Sequence, residues 1–248
     1  MEDIECGMTK AEGQNNCQLP FVFLNVAMTA DGKLAPASRH FTPFGSERDQ
    51  RLLLELRARA DAVMCGARTV NASPIKLGPG PAKYRRMRLR HGLAEYNLRI
   101  IVSGSGSVDP GAEIFKHRFS PIIVLTTERV REKNLSELRA RADEVLVCGE
   151  TEIDFDAALH WLREKWQVNR LLCEGGGELN SALLCASLVH EIYVTICPVI
   201  FGGRAAPTLA DGQGVESLAD AKLLALKSWR RVGDELYLVY RVRNRRRR

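Results

Sequence analysis

Leu171-Leu172-Cys173-Glu174-Gly175-Gly176-Gly177-Glu178-Leu179-Asn180 is an apolar run that ends in one acid and three glycines. The residues that follow, through Leu183-Leu184, carry a helix's apolar spacing, so the stretch predicts strand, glycine turn and helix start. Such a turn lets backbone N–H groups approach an anion, because glycine has no Cβ in the way and the helix N-terminus adds partial positive charge. Glu174, at the strand end, directs a carboxylate at whatever binds there. A strand-to-helix turn using glycine only for its backbone freedom gives the same pattern. Asn180 stands where a third spaced glycine would complete the dinucleotide fingerprint, and no Lys-Ser/Thr pair makes it a Walker loop. Phosphate binding and a plain turn both stay open on this stretch alone.

Upstream, Phe21-Val22-Phe23-Leu24-Asn25-Val26-Ala27-Met28 reads as a strand buried on both faces, ending at Thr29-Ala30-Asp31-Gly32-Lys33. The Asp-Gly turn holds Lys33 just beyond the strand, where a lysine is a surface charge or a catalytic group. Ser46 is a helix cap with Asp49 three residues on, and Leu52, Leu53, Leu56, Ala60 and Val63 extend one apolar face. Among the arginines on the other faces, Arg57 can grip a substrate phosphate with a two-nitrogen fork.

Ala62–Gly66 predicts a short strand, and Gly66-Ala67-Arg68-Thr69 a second ligand loop. Residues 71–98 form a long connection holding one short basic helix at 83–91. Strands follow at 99–103, 122–126 and 145–148, with helices over 135–142 and 154–166. A strand at 191–196 and a closing antiparallel pair, turned at Val232-Gly233-Asp234, complete the chain. Alternating strands and helices imply an α/β fold whose ligands lie beyond the carboxyl ends of the strands.

Among the 248 residues, no apolar run approaches the roughly 20 residues of a membrane helix. Residues 1–18 read as a loose arm without a secretory signal. Seven cysteines without a Cys-x-x-Cys pair argue for a reduced, cytosolic protein and against a structural metal site. Taking Arg245–Arg248 from the net charge of +6 leaves +2, so the excess is concentrated in a basic tail, 243–248. No aromatic residue interleaves with that tail, which leaves it without a base-stacking platform for nucleic acid.

Four segments together carry a resemblance: Met28–Ala35, Leu56–Val70, Leu172–Gly177 and Pro198–Gly203 with Ala205-Ala206-Pro207-Thr208. In this order they resemble the riboflavin-pathway pyrimidine reductases, and the likeness spans residues 20–242. It implies a dihydrofolate reductase-like fold: a central, mostly parallel sheet flanked by helices, with an antiparallel C-terminal edge, in one domain over 19–242. It also implies NADPH-dependent reduction of a phosphorylated ribosylamino-pyrimidine. The ribose opens to an imine, and hydride from the nicotinamide reaches its C1′.

By motif position, Lys33 and Glu174 are the catalytic pair facing the sugar chain. Thr69, Ser73, Ser103, Gly175, Gly176, Gly177 and Glu178 are expected at the cofactor, and Asn25 and Arg57 at the substrate; no metal is expected. The 2′-phosphate is expected among Ser103, Ser105 or Arg129. The resemblance also implies a homodimer through the strand at 192–196 and the closing pair. One departure stands out: where the family carries an acid after Thr-Val, this chain has Asn71-Ala72-Ser73-Pro74, followed by a basic stretch over 83–90. Ser73 in place of the acid, or a different anion bound by the basic stretch, follows from that change. Two other functions therefore stay in view: an oxidoreductase of this fold acting on another pterin-like or pyrimidine-like compound, and a non-catalytic nucleotide-binding protein.

Overall fold

Side chains of both parities are buried at the start of β1 (Phe21–Thr29), as its near-continuous apolarity requires. The computed structural model describes residues 19–40 and 43–243, so the expected arm and Arg245–Arg248 lie outside the described residues. The elements after β1 are α1 (Glu47–Arg57), β2 (Ala62–Gly66), α2 (Ala67–Ala72), α3 (Ala82–Arg90), β3 (Leu98–Val102), α4 (Glu113–Lys116), β4 (Ile122–Thr126) and α5 (Glu132–Arg139). They continue with β5 (Glu144–Val147), α6 (Phe155–Trp166), β6 (Arg170–Cys173), α7 (Gly177–Cys185), β7 (Val189–Cys197), β8 (Leu223–Val232) and β9 (Glu235–Arg243).

The strands form one nine-stranded sheet in the order β5-β4-β3-β2-β6-β1-β7-β9-β8. Pairing is parallel from β5 to β7 and antiparallel for β7-β9 and β9-β8, which is the expected mixed sheet with an antiparallel edge. On one face Leu171 and Cys173 of β6 pack with α6 and α7; on the other, Phe23, Leu172 and Val63 pack with α1, α2 and α5. Helices therefore cover both faces of the parallel part, and the core lies in two layers.

Several boundaries differ from the pattern-based expectation. Helix α1 stops at Arg57, because Asp61 accepts the Asn169 and Arg170 N–H groups at 2.8 Å and draws the chain into β2. Ala60 and Val63 continue the apolar spacing but not the helix. Gly66–Thr69, read as a loop, is the N-cap and first turn of α2. Helix α5 starts three residues before Leu135 with the polar turn Glu132-Lys133-Asn134. Arg243, assigned to the tail, closes β9. The strand expected at a dimer surface, β7, is interior: it pairs with β1 and β9, and Ile192, Val194 and Thr195 are buried.

The Ser46 hydroxyl caps α1 by accepting from Arg48 N and Asp49 N, as its sequence position requires. The reciprocal bond of a capping box is absent, since Ser46 N donates at 2.7 Å to Glu235 of β9 instead. The five described cysteines are free thiols. No helix among the described residues is long and apolar enough to cross a membrane.

Candidate active site

Strand β6 ends at Cys173, Glu174 N–H donates to Met64 O of β2 at 2.9 Å, and the chain then turns through Gly175 and Gly176 into α7. Gly66 N–H of β2 donates to Gly175 O at 2.9 Å, so the N-terminus of α2 and that of α7 are tied side by side. Gly175 has a φ of +83°, which glycine adopts without strain, and the Gly175–Gly176 peptide is cis. Asn180 supports this turn from beneath: its Nδ2 donates to Leu209 O at 2.9 Å, and a Cβ on Gly175 would meet that amide at 3.3 Å. A Cβ on Gly176, by contrast, would meet nothing nearer than Thr69 Oγ1 at 3.8 Å. A methyl at Gly176 would thus rest in ordinary van der Waals contact with Thr69, and the backbone between the two helix N-termini is uncrowded.

Register places the other expected residues. Leu24 pairs with Cys173 and Met64 with the same residue, so Asn25, Glu174 and Cys65 come next, side by side on β1, β6 and β2. They lie on the face that α1 covers. Asn25 Oδ1 is buried with no hydrogen-bond partner among the described residues. Such an orphaned acceptor has a desolvation cost that a ligand donor would remove. Cys65 is buried behind Glu174; burial and that neighbouring carboxylate push its thiol far up, so it is an inert wall.

Arg57 reaches Glu174 from the last turn of α1. Its Nε and Nη2 each donate to one carboxylate oxygen at 2.6 Å, and Nη1 donates to Gly78 O at 2.8 Å. Burial works against the guanidinium charge, but Glu174 alongside outweighs it, and Arg57 titrates above its ordinary value. The Arg57 fork expected on a substrate phosphate is thus occupied by Glu174.

Lys33 is held by a tight turn. Its N–H donates to Thr29 Oγ1 at 2.9 Å, while Thr29 Oγ1 donates to Asp31 at 2.6 Å and Asp31 accepts Gly202 N–H at 2.8 Å. The Thr29 hydroxyl above all, with the Gly202 and Phe201 N–H groups, holds the Asp31 carboxyl below its usual range against the opposing effect of burial. Lys33 forms an antiparallel bridge with Thr208, whose N–H and hydroxyl both bond Asp211 Oδ1, at 2.9 and 2.7 Å. Asp211 N–H in turn donates to Gly177 O at 3.0 Å. One short segment, Thr208–Asp211, therefore anchors both the Lys33 turn and the glycine turn.

Other expected residues fall less directly. Ser73 is buried and its hydroxyl donates to Thr69 O at 2.6 Å, closing the last turn of α2 instead of facing a ligand. Ser103 lies just beyond β3, with β2 between it and the glycine turn. Glu178 pairs with Arg68 at 2.5 Å across the mouth of the turn, both side chains exposed. Ser105 bonds Ser107, and Arg129 lies on the surface after β4. A groove of about 310 Å³ on the far side of this loop, lined by Asn71, Ser107, Asp109 and Arg141, contains none of the expected site residues. Among the described residues no cluster of acids, histidines and cysteines could hold a metal ion. Asn180 and Asp211 were not singled out from the sequence as site residues; the only signals were the polar residue inside an apolar helix start and the Asp-Gly turn.

A mixed sheet, parallel from β5 to β7 and antiparallel at its β9-β8 edge, with helices on both faces of the parallel part and a glycine turn after a central strand, is the architecture expected of a dihydrofolate reductase-like reductase. The RibD C-terminal domain model matches residues 20–238, and the chain belongs to that family. It is 36% identical over 227 residues to the 2,5-diamino-6-ribosylamino-4(3H)-pyrimidinone 5′-phosphate reductase of Methanothermobacter thermautotrophicus, covering 90% of this chain and 99% of that protein. The protein of the same name from Archaeoglobus fulgidus is 36% identical over 194 residues, covering 78% and 87%. Among solved structures, a pyrimidine reductase-like protein of Corynebacterium diphtheriae superposes with a TM-score of 0.74 at 22% identity, covering 91% of this chain and 93% of that one. The riboflavin biosynthesis reductase Rib7 of Saccharomyces cerevisiae does so at 0.67 and 18%, covering 94% and 93%.

Proposed function

We propose that this chain is an NADPH-dependent reductase that converts a phosphorylated ribosylamino-pyrimidine into its ribitylamino counterpart in riboflavin biosynthesis. The archaeal relatives carry that activity in their names at 36% identity, and nearly the whole length of the first is covered. The observation that carries the reading is the shared anchor Thr208–Asp211, which ties the Lys33 turn to the triple-glycine turn. The uncrowded backbone at Gly176 and the orphaned Asn25 Oδ1 fit a bound dinucleotide and its substrate.

In this reading Gly175, Gly176, Gly177 and Thr69 hold the cofactor phosphates, with Glu178 at the rim and Ser103 farther along the strand ends. NADPH supplies the hydride. Asn25 accepts a hydrogen bond from the ligand. The Lys33 ammonium has no ion-pair or hydrogen-bond partner among the described residues, so it is available to the substrate's sugar oxygens. Glu174, fixed by Arg57, offers acceptor oxygens to the sugar hydroxyls and orients the chain so that the reacting carbon is correctly placed. Ser73 is a structural residue here, since its hydroxyl closes α2.

The single sheet running from β1 to β9 supports one reductase domain over 19–242. Free thiols at all five described cysteines support a reduced compartment, the cytoplasm. A homodimer fits the antiparallel edge: β8 is an edge strand whose Leu223, Leu224, Leu226, Trp229 and Val232 are exposed. Light scattering tests that assembly, with Trp229→Lys expected to give monomers.

The deciding experiment follows NADPH oxidation by the purified protein with the phosphorylated precursor, with NADH in parallel. No turnover with either dinucleotide sinks the reading. The Ser73 replacement favours a second reading, reduction of a different pterin-like or pyrimidine-like compound, which turnover of pterins but not of the precursor would establish.

A further inference from the structure

We propose that Asp211 is a positioning residue: its carboxylate closes Pro207–Asp211 into a clip that holds Lys33 in fixed relation to the glycine turn. This rests on the reductase reading above. The Lys33 ammonium has no ion-pair or hydrogen-bond partner among the described residues, so its backbone alone decides where the charge stands. That backbone is pinned on two sides. On one, Lys33 N–H donates to Thr29 Oγ1 and Thr29 N–H donates to Lys33 O, each at 2.9 Å. On the other, Lys33 bridges Thr208, and Leu34 N–H donates to Pro207 O at 2.8 Å.

The far end of the segment belongs to α7. Asp211 N–H donates to Gly177 O at 3.0 Å, and Asn180 Nδ2 donates to Leu209 O at 2.9 Å. Leu209 also packs against the apolar cluster that holds Leu179 and Leu183. Between the two ends one side chain closes the segment on itself: Asp211 Oδ1 accepts the Thr208 N–H at 2.9 Å and the Thr208 hydroxyl at 2.7 Å. Without that carboxylate, Pro207 and Thr208 stay tied to residues 33–34, and Leu209 and Asp211 stay tied to α7. Only flexible backbone then joins the halves. Hydride transfer from a cofactor at one end to a sugar held at the other requires the two ends to keep their spacing to a fraction of an ångström.

The test combines NADPH titration with single-turnover rates, enzyme in excess, on the phosphorylated precursor. Asp211→Ala should slow the chemical step at least about tenfold, through misplacement of Lys33. Its Kd for NADPH should stay within about threefold, because the backbone bond to Gly177 O and the Asn180 bond to Leu209 O survive. Asp211→Asn keeps an oxygen acceptor for both Thr208 donors and should restore the rate to within about threefold of the unaltered protein. In Lys33→Ala, adding Asp211→Ala should cost less than about threefold more, since the positioned group is already gone.

If Asp211→Ala fails to fold, Thr208→Val carries the test; it keeps the side-chain shape, loses the hydroxyl bond and should slow the step at least about threefold at unchanged NADPH affinity. The proposal is overturned if NADPH affinity falls in proportion to the rate, which would confine Asp211 to the cofactor turn. It is also overturned if the rate falls equally with and without Lys33, if Asp211→Asn loses as much as Asp211→Ala, or if the folded variant turns over like the unaltered protein. Absence of turnover by the unaltered protein overturns the reductase reading and this proposal with it, whereas the other outcomes overturn the proposal alone.

Discussion

Gly176 and Gly177 are neighbours with opposite freedoms, and replacing each by alanine separates cofactor binding from folding. At Gly177 an added methyl meets Thr208 O and Asp211 Oδ2, each at 2.5 Å. Neither atom can easily retreat, because Asp211 is bonded to Thr208 and its N–H to Gly177 itself. Overpacking of this kind costs about 1–3 kcal/mol. Alanine's helix advantage over glycine returns about 0.5–1 kcal/mol. The net loss centres on about 1 kcal/mol, which for a chain of this length lowers Tm by about 2–4 °C. Turnover should fall further than the stability loss explains, since Thr208 also holds Lys33.

At Gly176 the backbone is extended (φ −72°, ψ −168°) and the methyl has 3.8 Å to its nearest neighbour. Gly176→Ala should therefore change stability by no more than about 0.5 kcal/mol. Under the proposed cofactor assignment it should weaken NADPH binding at least about tenfold, because the methyl would enter the space assigned to the phosphates. Calorimetry and titration of tryptophan fluorescence with NADPH read the two effects separately. Unchanged NADPH affinity in Gly176→Ala would refute the assignment of this turn to the cofactor. A Gly177→Ala protein that melts like the unaltered one would refute the packing argument.

Lys33→Ala should reduce kcat about 100-fold or more with NADPH affinity and Tm unchanged, and a proportional loss of NADPH affinity would move Lys33 to the cofactor. Arg88→Met removes the bonds to Ala94 O, Arg57 O and Ala60 O, and urea unfolding should register a loss of about 2–4 kcal/mol; an unchanged midpoint would remove Arg88 as a brace. Asp49 is buried with Oδ1 unpartnered; burial, with Glu235 nearby, raises its carboxyl above the ordinary 3.8 despite an offset from Thr195. The folded protein then binds this proton to a higher pH than the unfolded chain does, so this group's contribution to stability falls as pH rises above that value. Asp49→Asn should accordingly melt higher than the unaltered protein at pH 7, with the difference closing on acidification toward about pH 4; a difference that grows on acidification would reverse the assigned sign.

The strands and the long helices are legible because their burial is written in local apolar spacing. Helix α2 is not: only Ala67 and Val70 are buried in its six residues, and its leading glycine reads as a loop. The overrun of α1 has the same origin, since Ala60 and Val63 keep the period while Asp61, bonded to a strand more than a hundred residues away, ends the helix. At the site, the residues are legible but their partners are not. Arg57 reads as a free cation until β6 brings Glu174 to it, and no local pattern shows that Lys33 will pair with Thr208.

That distinction decides how the basic stretch bears on the substrate. A run of cations over 83–90 invites an anion, yet the partners point elsewhere. Arg88 is buried on backbone carbonyls, Arg85 is bonded to Glu95 and Tyr96, and Lys83 lies over the Tyr84 ring. Only the exposed Arg86 and Arg90 remain without such contacts among the described residues. The stretch is thus explained by bracing the end of α1, and it needs no altered ligand. The change that bears on chemistry is at Ser73, whose hydroxyl is turned to Thr69 O and offers the ligand space no acid. Glu174 is then the carboxylate in the row with Asn25 and Cys65, with Arg57 bonded to it, whereas the Lys33 ammonium has no ion-pair or hydrogen-bond partner among the described residues.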